Sequence, residues 1–198
     1  MPPRCAFCGA PTSADEGHVC AGCCADLPYI PPRPQAAPFE CEIVPLAYEF
    51  PVDAAIKALK FRRRLFYGPA LARLLCNVAD TLPPDVDALL PVPLHWRRQW
   101  LRGFNQALEI GAPVAQHLGV PVIHSVVRCR ATPSQSGLSA VERARNLRDA
   151  FVMKNRPRCQ HVVIVDDVVT TGATMQEVAH TLFASGIKKV SALAVARA

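Results

Sequence analysis

Two adjacent carboxylates, Asp166 and Asp167, sit between an apolar run and a hydroxyl-rich loop. Before them stand Val162, Val163, Ile164 and Val165, four β-branched residues in succession. Such a run fits a strand buried on both faces of a parallel sheet. After them come Val168, Val169, Thr170, Thr171, Gly172, Ala173 and Thr174. Then Met175, Val178, Ala179 and Leu182 recur on one helical face, and Ser185-Gly186 supplies a stop. This order puts acids and hydroxyls beyond the carboxyl end of a strand, where open α/β sheets bind ligands. A loop that opens a helix leaves N–H groups unpaired and adds a positive dipole end, so it attracts phosphate. Thr170, Thr171 and Thr174 add hydroxyl donors, and Gly172 permits a positive φ or a close approach. Two carboxylates beside a phosphate cradle repel a bare polyphosphate. They suit sugar hydroxyls, or a Mg²⁺ that a phosphate also binds. The combination predicts a ribose 5-phosphate as ligand, not a nucleoside triphosphate.

A second constellation stands at the N-terminus. Cys5-x-x-Cys8 and Cys20-x-x-Cys23 are two knuckles with eleven residues between them. Each pair can place two thiolates on one ion, and both pairs complete a tetrahedral Cys₄ site. Cys24 is an alternative to Cys23 as fourth ligand, and His18 a weaker substitute. Large apolar residues are few here, Phe7, Val19 and Leu27, so a core cannot form and metal must supply folding energy. For a structural Zn²⁺ that energy is on the order of 10–16 kcal/mol. A closed Cys₄ site leaves no open position for zinc catalysis.

The whole chain, 198 residues, fits one main domain with a small extra module. The expected division is a Cys₄ zinc-binding module at 1–27, a proline-rich linker at 28–38 and an α/β domain at 39–198. A net charge of +6 suits nucleic acid or a polyanionic small molecule and decides neither. The first residues, MPPRCAFCGA, lack the apolar core of a signal peptide, and no apolar run reaches the length of a membrane span. The expectation is a cytoplasmic protein without membrane insertion, whose paired cysteines hold metal rather than disulfides.

The intervening elements must position these groups. Residues 39–50 read as short strands around a turn at Pro45, with Cys41 as a small buried hydrophobe. Residues 51–61 read as a helix with Val52, Ala55, Ile56 and Leu59 on one face. Lys57 and Lys60 leave it elsewhere, followed by Arg62, Arg63 and Arg64, either a solvated surface or an anion-facing edge near the site. A further helix spans 68–79, and a short strand 88–92. The next residues, Pro93 to Arg98, hold a turn and two arginines, Arg97 and Arg98, which either make bidentate phosphate contacts or are surface residues flanking a buried Trp96, and cis X-Pro bonds are possible here. Residues 100–119 lead into a helix, 120–127 into a strand, and 188–196 form a closing strand. The Ser, Thr, Pro and Gly content of 132–139 predicts a mobile loop.

The stretch VVIVDDVVTTGAT at 162–174 resembles the phosphoribosyl pyrophosphate (PRPP) signature of type I phosphoribosyltransferases. The resemblance implies the type I phosphoribosyltransferase fold, a parallel sheet flanked by helices, here with a small zinc-ribbon-like module in front. It implies that Asp166 and Asp167 act as the catalytic acid pair, contacting the ribose 2′ and 3′ hydroxyls. Val168, Thr170, Thr171, Gly172, Ala173 and Thr174 would wrap the 5′-phosphate, Arg97 would meet the pyrophosphate, and Mg²⁺ would accompany the ligand. More narrowly, PVPLHWRRQWLRGFNQA at 91–107, Q-S-G-L-S at 135–139 and the acid-pair loop resemble the ComF family of competence proteins. That resemblance covers nearly the whole chain. It implies a role in natural transformation, with single-stranded DNA and competence or replication helicase proteins as partners.

Two functions compete. In the first, Mg²⁺-PRPP is a substrate, a nucleophile displaces pyrophosphate, and residues 135–146 close as a lid. In the second, the same fold is a catalytically inactive adaptor that binds single-stranded DNA or a helicase through its arginines, with Trp96, Trp100 or Phe104 stacking on bases. An amidotransferase reading lacks its glutaminase, because Cys5 is not an N-terminal nucleophile.

Overall fold

The computed structural model describes residues 3–34, 37–130 and 150–198. Its centre is a parallel sheet. Strand β6 (His161–Val169) pairs on one side with β7 (Lys189–Arg197) and on the other with β3 (Ala88–Pro91). Two short strands, β1 (Glu42–Ile43) and β2 (Leu46–Ala47), both run parallel to β7 and complete that edge. The expected strands on either side of Pro45 are therefore present, and the closing strand lies one residue beyond its expected bounds.

Both faces of β6 are covered, which is why its first five residues are uninterruptedly apolar or buried. Val163 and Val165 pack with α2 (Val52–Arg62), α3 (Tyr67–Ala79) and α5 (Gln106–Leu118). Val162 and Ile164 pack against α6 (Ala173–Ala184) through Met175, Val178, Ala179 and Leu182, the face expected from their spacing. A two-stranded antiparallel ribbon of β4 (Val126–Arg128) and β5 (Phe151–Met153) joins that second layer.

Residues 120–127, expected as one strand, form only β4 and a single bridge from Val122 to Leu89. The backbone still extends the sheet there, with Leu89 donating to Pro121 and accepting from Ile123. Pro121 lacks an N–H, so a continuous ladder cannot form. The helix expected from residue 100 is two helices, α4 (Trp96–Arg102) and α5, separated by Gly103 at φ 84°. The cis bonds are at Ala37-Pro38 and Phe50-Pro51 and not at 91–93.

The Cys-rich segment contains one short helix, α1 (Ala21–Ala25), and packs on α3. Val19 and Leu27 belong to the same apolar cluster as Leu71 and Leu75, and the Phe7 ring lies 6.3 Å from that of Tyr67. Arg73 donates to the Asp15 carbonyl at 3.1 Å. The proline-rich stretch begins antiparallel to Leu46, with Ile30 donating to Pro45 and Ala47 donating to Pro28, and turns at 37–38. Pro31 and Pro32 cannot continue that pairing. The loop expected at 132–139 and the lid expected at 135–146 fall outside the described residues.

Candidate phosphoribosyl site

The acid pair is not in a loop. Strand β6 runs on to Val169, so Asp166 and Asp167 are strand residues and point to opposite sides. Asp167 is 2% exposed and faces the α2/α5 layer. There it forms an ion pair with Lys60 of α2, and Gln106 of α5 donates Nε2 to its Oδ1 at 3.5 Å. Burial pushes its carboxyl up, but the Lys60 ammonium and these hydrogen bonds outweigh it and hold the pKa below the ordinary value. Asp166 is only partly covered, and its Oδ1 accepts from the Asp167 N–H at 2.9 Å. Burial of the carboxyl, then the adjacent Asp167 charge, raise its pKa well above the ordinary value. One acid is thus held ionised and the other is poised to carry a proton. That asymmetry belongs to two like charges sharing one site.

The segment Arg102-Gly-Phe-Asn-Gln106 builds the wall opposite. Gly103 turns α4 off in a left-handed conformation that a side chain would disfavour. Asn105 caps α5 by accepting from Ala107 at 3.0 Å and ties that cap to β3 by donating to the Val92 carbonyl at 3.1 Å. Gln106 is thereby aimed at Asp167, and Arg102 donates to the Gln106 Oε1. His95 caps α4, accepting from the Arg97 N–H at 3.3 Å. Burial and then the cations of Arg128, Arg97 and Arg98 push His95 below its ordinary pKa, leaving it neutral.

On the other side of the acids, Gly172 takes φ 76° and α6 begins at Ala173. Thr170 and Thr171 are exposed, and the Thr171 hydroxyl accepts from the Ala173 N–H at 3.4 Å. A concavity of about 20 Å³ is lined by Asp166 and residues 168–175. It adjoins one of about 180 Å³ that shares Asp166, Val168 and Thr174 and adds Asp167, Lys60, Arg98, Gln106 and Arg128. A third, of about 530 Å³, shares Lys60, Arg98 and Gln106 and opens between α2 and α4. The three form one trough from the helix N-terminus, past the acids, to an arginine-rich mouth.

Of the residues singled out in the sequence, Asp166, Asp167, Val168, Thr170, Thr171, Gly172, Ala173 and Thr174 come together in this trough. Arg97 does not line it. It is exposed, with its guanidinium carbon 5.2 Å over the Trp96 ring, and Trp96 is 64% exposed rather than buried. Arg98 takes the inward position instead. Arg128 was unforeseen: its place at the end of β4, bridged to His95, depends on the tertiary fold. Lys60 was legible as one cation of a basic edge that could face the site, but not as the partner of Asp167.

The Sγ atoms of Cys5, Cys8, Cys20 and Cys23 lie within 4.8 Å of one another and could hold a metal ion. Cys8 and Cys20 are 3.7 Å apart, close to the roughly 3.8 Å edge of a tetrahedron with 2.3 Å Zn–S bonds. The donor set fits structural zinc. Cys24 instead faces the Tyr29 hydroxyl at 3.3 Å, and His18 is not in the cluster. Burial raises the Cys5 thiol, but backbone N–H groups including those of Cys20 and Cys8 bring it down to about 6.

A family model described as a phosphoribosyl transferase domain matches residues 105–198. Competence protein F of Haemophilus influenzae is 33% identical over 99% of this chain and 85% of its own length. The chain belongs to the ComF family. The DNA utilization protein YhgH of Escherichia coli K12 is 36% identical over 98% of this chain and 83% of its own length. Competence protein ComFC of Bacillus subtilis is 32% identical over 50% of this chain and 39% of its length. The fold is that of the type I phosphoribosyltransferases. Among the described residues no helix is long and apolar enough to cross a membrane.

Proposed function

We propose that the trough binds Mg²⁺-PRPP or a related ribose 5-phosphate, and that this ComF-family protein acts in competence, handling DNA within the cytosol. The observation that carries the reading is the continuity of the hydroxyl-rich helix N-terminus with the acid pair and an arginine-lined mouth. The 5′-phosphate would lie on residues 170–174, where unpaired N–H groups and threonine hydroxyls converge. The ribose hydroxyls would face Asp166, with Asp167 held behind it by Lys60 and Gln106. Arg98, rather than Arg97, would meet the pyrophosphate, and the acids would hold a Mg²⁺, which would supply charge neutralisation. In transfer, an acceptor forms a bond to the ribose C1 while the bond from C1 to the pyrophosphate oxygen breaks. The protein's part is positioning and charge stabilisation. Residues 1–27 would be a zinc-stapled cap on α3, joined by 28–38 to the 39–198 domain.

The test is calorimetric titration of Mg²⁺-PRPP into zinc-loaded protein, beside an Asp166→Asn/Asp167→Asn variant with an unchanged melting curve. Micromolar binding lost in the variant supports the site and justifies screening acceptors by pyrophosphate release. Absence of binding to the intact protein sinks the reading.

A further inference from the structure

The mouth of the trough continues onto a surface that the phosphoribosyl reading does not use. Helix α4 buries none of its residues. A seven-residue helix gains little from its own hydrogen bonds and normally depends on packing. Yet α4 exposes Trp100 by 80% and Leu101 by 67%. Beside it, the end of α2 exposes Phe61 by 73%, and Leu65 and Phe66 follow, each about half exposed. The two segments are fastened into one face. Arg63 donates Nη2 to the Leu101 carbonyl at 2.8 Å, and Arg102 lies 5.8 Å over the Phe61 ring. Arg63 holds a left-handed backbone at φ 52°, a conformation unfavourable for a side chain that this cross-link helps to offset. The face is one-signed: residues 60–67 and 94–105 contain Lys60 and six arginines and no Asp or Glu.

We propose that this face is a docking site for a partner protein, taking an acidic segment whose carboxylates alternate with apolar side chains. Charge complementarity selects the acidic character. Exposed aromatic and arginine side chains on a contiguous apolar patch are the composition of protein–protein hot spots. Nucleic acid is the competing occupant for the cations, but the patch is poorly built for it. Leu65 and Leu101 offer no stacking face. One side of Trp96 is taken by Arg97 at 5.2 Å, and Phe66 is packed on Tyr67 at 4.4 Å. Base stacking uses open aromatic platforms, and among these rings that leaves Trp100, fewer than a tracked strand of bases would use.

The chain's two tryptophans, Trp96 and Trp100, are both on this face, so intrinsic fluorescence reports on it directly. The zinc-loaded full chain would be titrated with three probes: a synthetic peptide alternating aspartate with leucine and phenylalanine, the same peptide with lysine for aspartate, and oligothymidine. The expected result is a saturable blue shift with the acidic peptide, about tenfold tighter than with its lysine copy. Leu101→Ala should weaken the acidic peptide about tenfold and leave any oligothymidine response unchanged. The Arg63 cross-link uses the Leu101 backbone, so this substitution preserves the face. A tighter response to oligothymidine, indifferent to Leu101→Ala, overturns the proposal in favour of nucleic acid. Emission unmoved by all three probes overturns it in favour of a solvent-facing helix.

Discussion

At the N-terminal end of β6, His161 is 1% exposed and its ring is spoken for on both sides. Nδ1 lies 2.9 Å from Asp85 Oδ1 and Nε2 lies 2.9 Å from Ser191 Oγ. Asp85 also pairs with Lys189 at 2.7 Å, and Asp87 accepts from the backbone N–H groups of Gln160 and His161. At the C-terminal end of the same strand, Asp166 and Asp167 open onto a trough rich in hydroxyls, N–H groups and cations. The first end is a closed polar cluster, in which every named group meets a partner. The second lines an open trough. The difference lies in chain direction. The C-terminal end of a parallel strand feeds a helix N-terminus, whose free N–H groups need an anion, whereas the other end does not. One strand thus carries a structural lock and the proposed ligand site, and they should separate experimentally.

The largest effect is expected at the open end. Replacing both acids, Asp166→Asn with Asp167→Asn, should weaken Mg²⁺-PRPP by about 3 kcal/mol, through the ribose contacts of Asp166 and the negative charge that Asp167 supplies behind it. Chemical denaturation should move far less than ligand affinity in the calorimeter. At the closed end the sign reverses. His161→Ala should cost about 2 kcal/mol of stability, through a cavity and an unpaired, buried Ser191 hydroxyl, with PRPP affinity retained in whatever folds. Comparable losses of affinity and stability in both variants would erase the contrast.

Lys60→Met probes the join between the two kinds of site. It removes the charge that keeps Asp167 ionised, so the Asp167 pKa should rise and the pair should compete for a proton. Stability should fall by about 1–2 kcal/mol, less than for a fully buried pair because Lys60 reaches solvent. Ligand affinity measured between pH 5 and 8 should become steeper in the variant, and a profile parallel to the parent's would refute the role. The smallest effect is acid sensitivity of the closed end. The Lys189 ammonium first, then His161, hold Asp85 down to about 2, and backbone N–H groups lower Asp87. Depressed carboxylates contribute stability that is present above their unfolded value, near 4, and lost as pH falls toward 2. Melting temperatures across that window should drop less steeply for Asp85→Asn than for the parent.

The resemblance of 162–174 to a known signature, and the local physics beneath it, reached the right strand, loop and helix. A β-branched run, a glycine with positive φ and a helix of period 3.6 are local properties. The cysteine knuckles were legible for the same reason, since two short spacings bring each pair together. Less was visible where a property depends on what packs nearby. Asp166 and Asp167 are neighbours in the chain and look equivalent in it. Trp96 reads equally as a buried ring between surface arginines or as an exposed one, and its 64% exposure follows from where α4 sits in the fold.

The sequence by itself determined the order of the site: buried strand, acid pair, threonine loop, capped helix, with four sulfurs in a separate segment. Backbone sterics and periodicity act over a few residues, so they can be read in a line. That Lys60 holds Asp167 ionised while Asp166 lines both adjoining concavities follows from the tertiary packing alone. It also chose Arg98 over Arg97 and brought Arg128 to the trough. Those outcomes depend on helices and strands distant in the chain meeting across the sheet, where burial and a single charge separate two identical side chains.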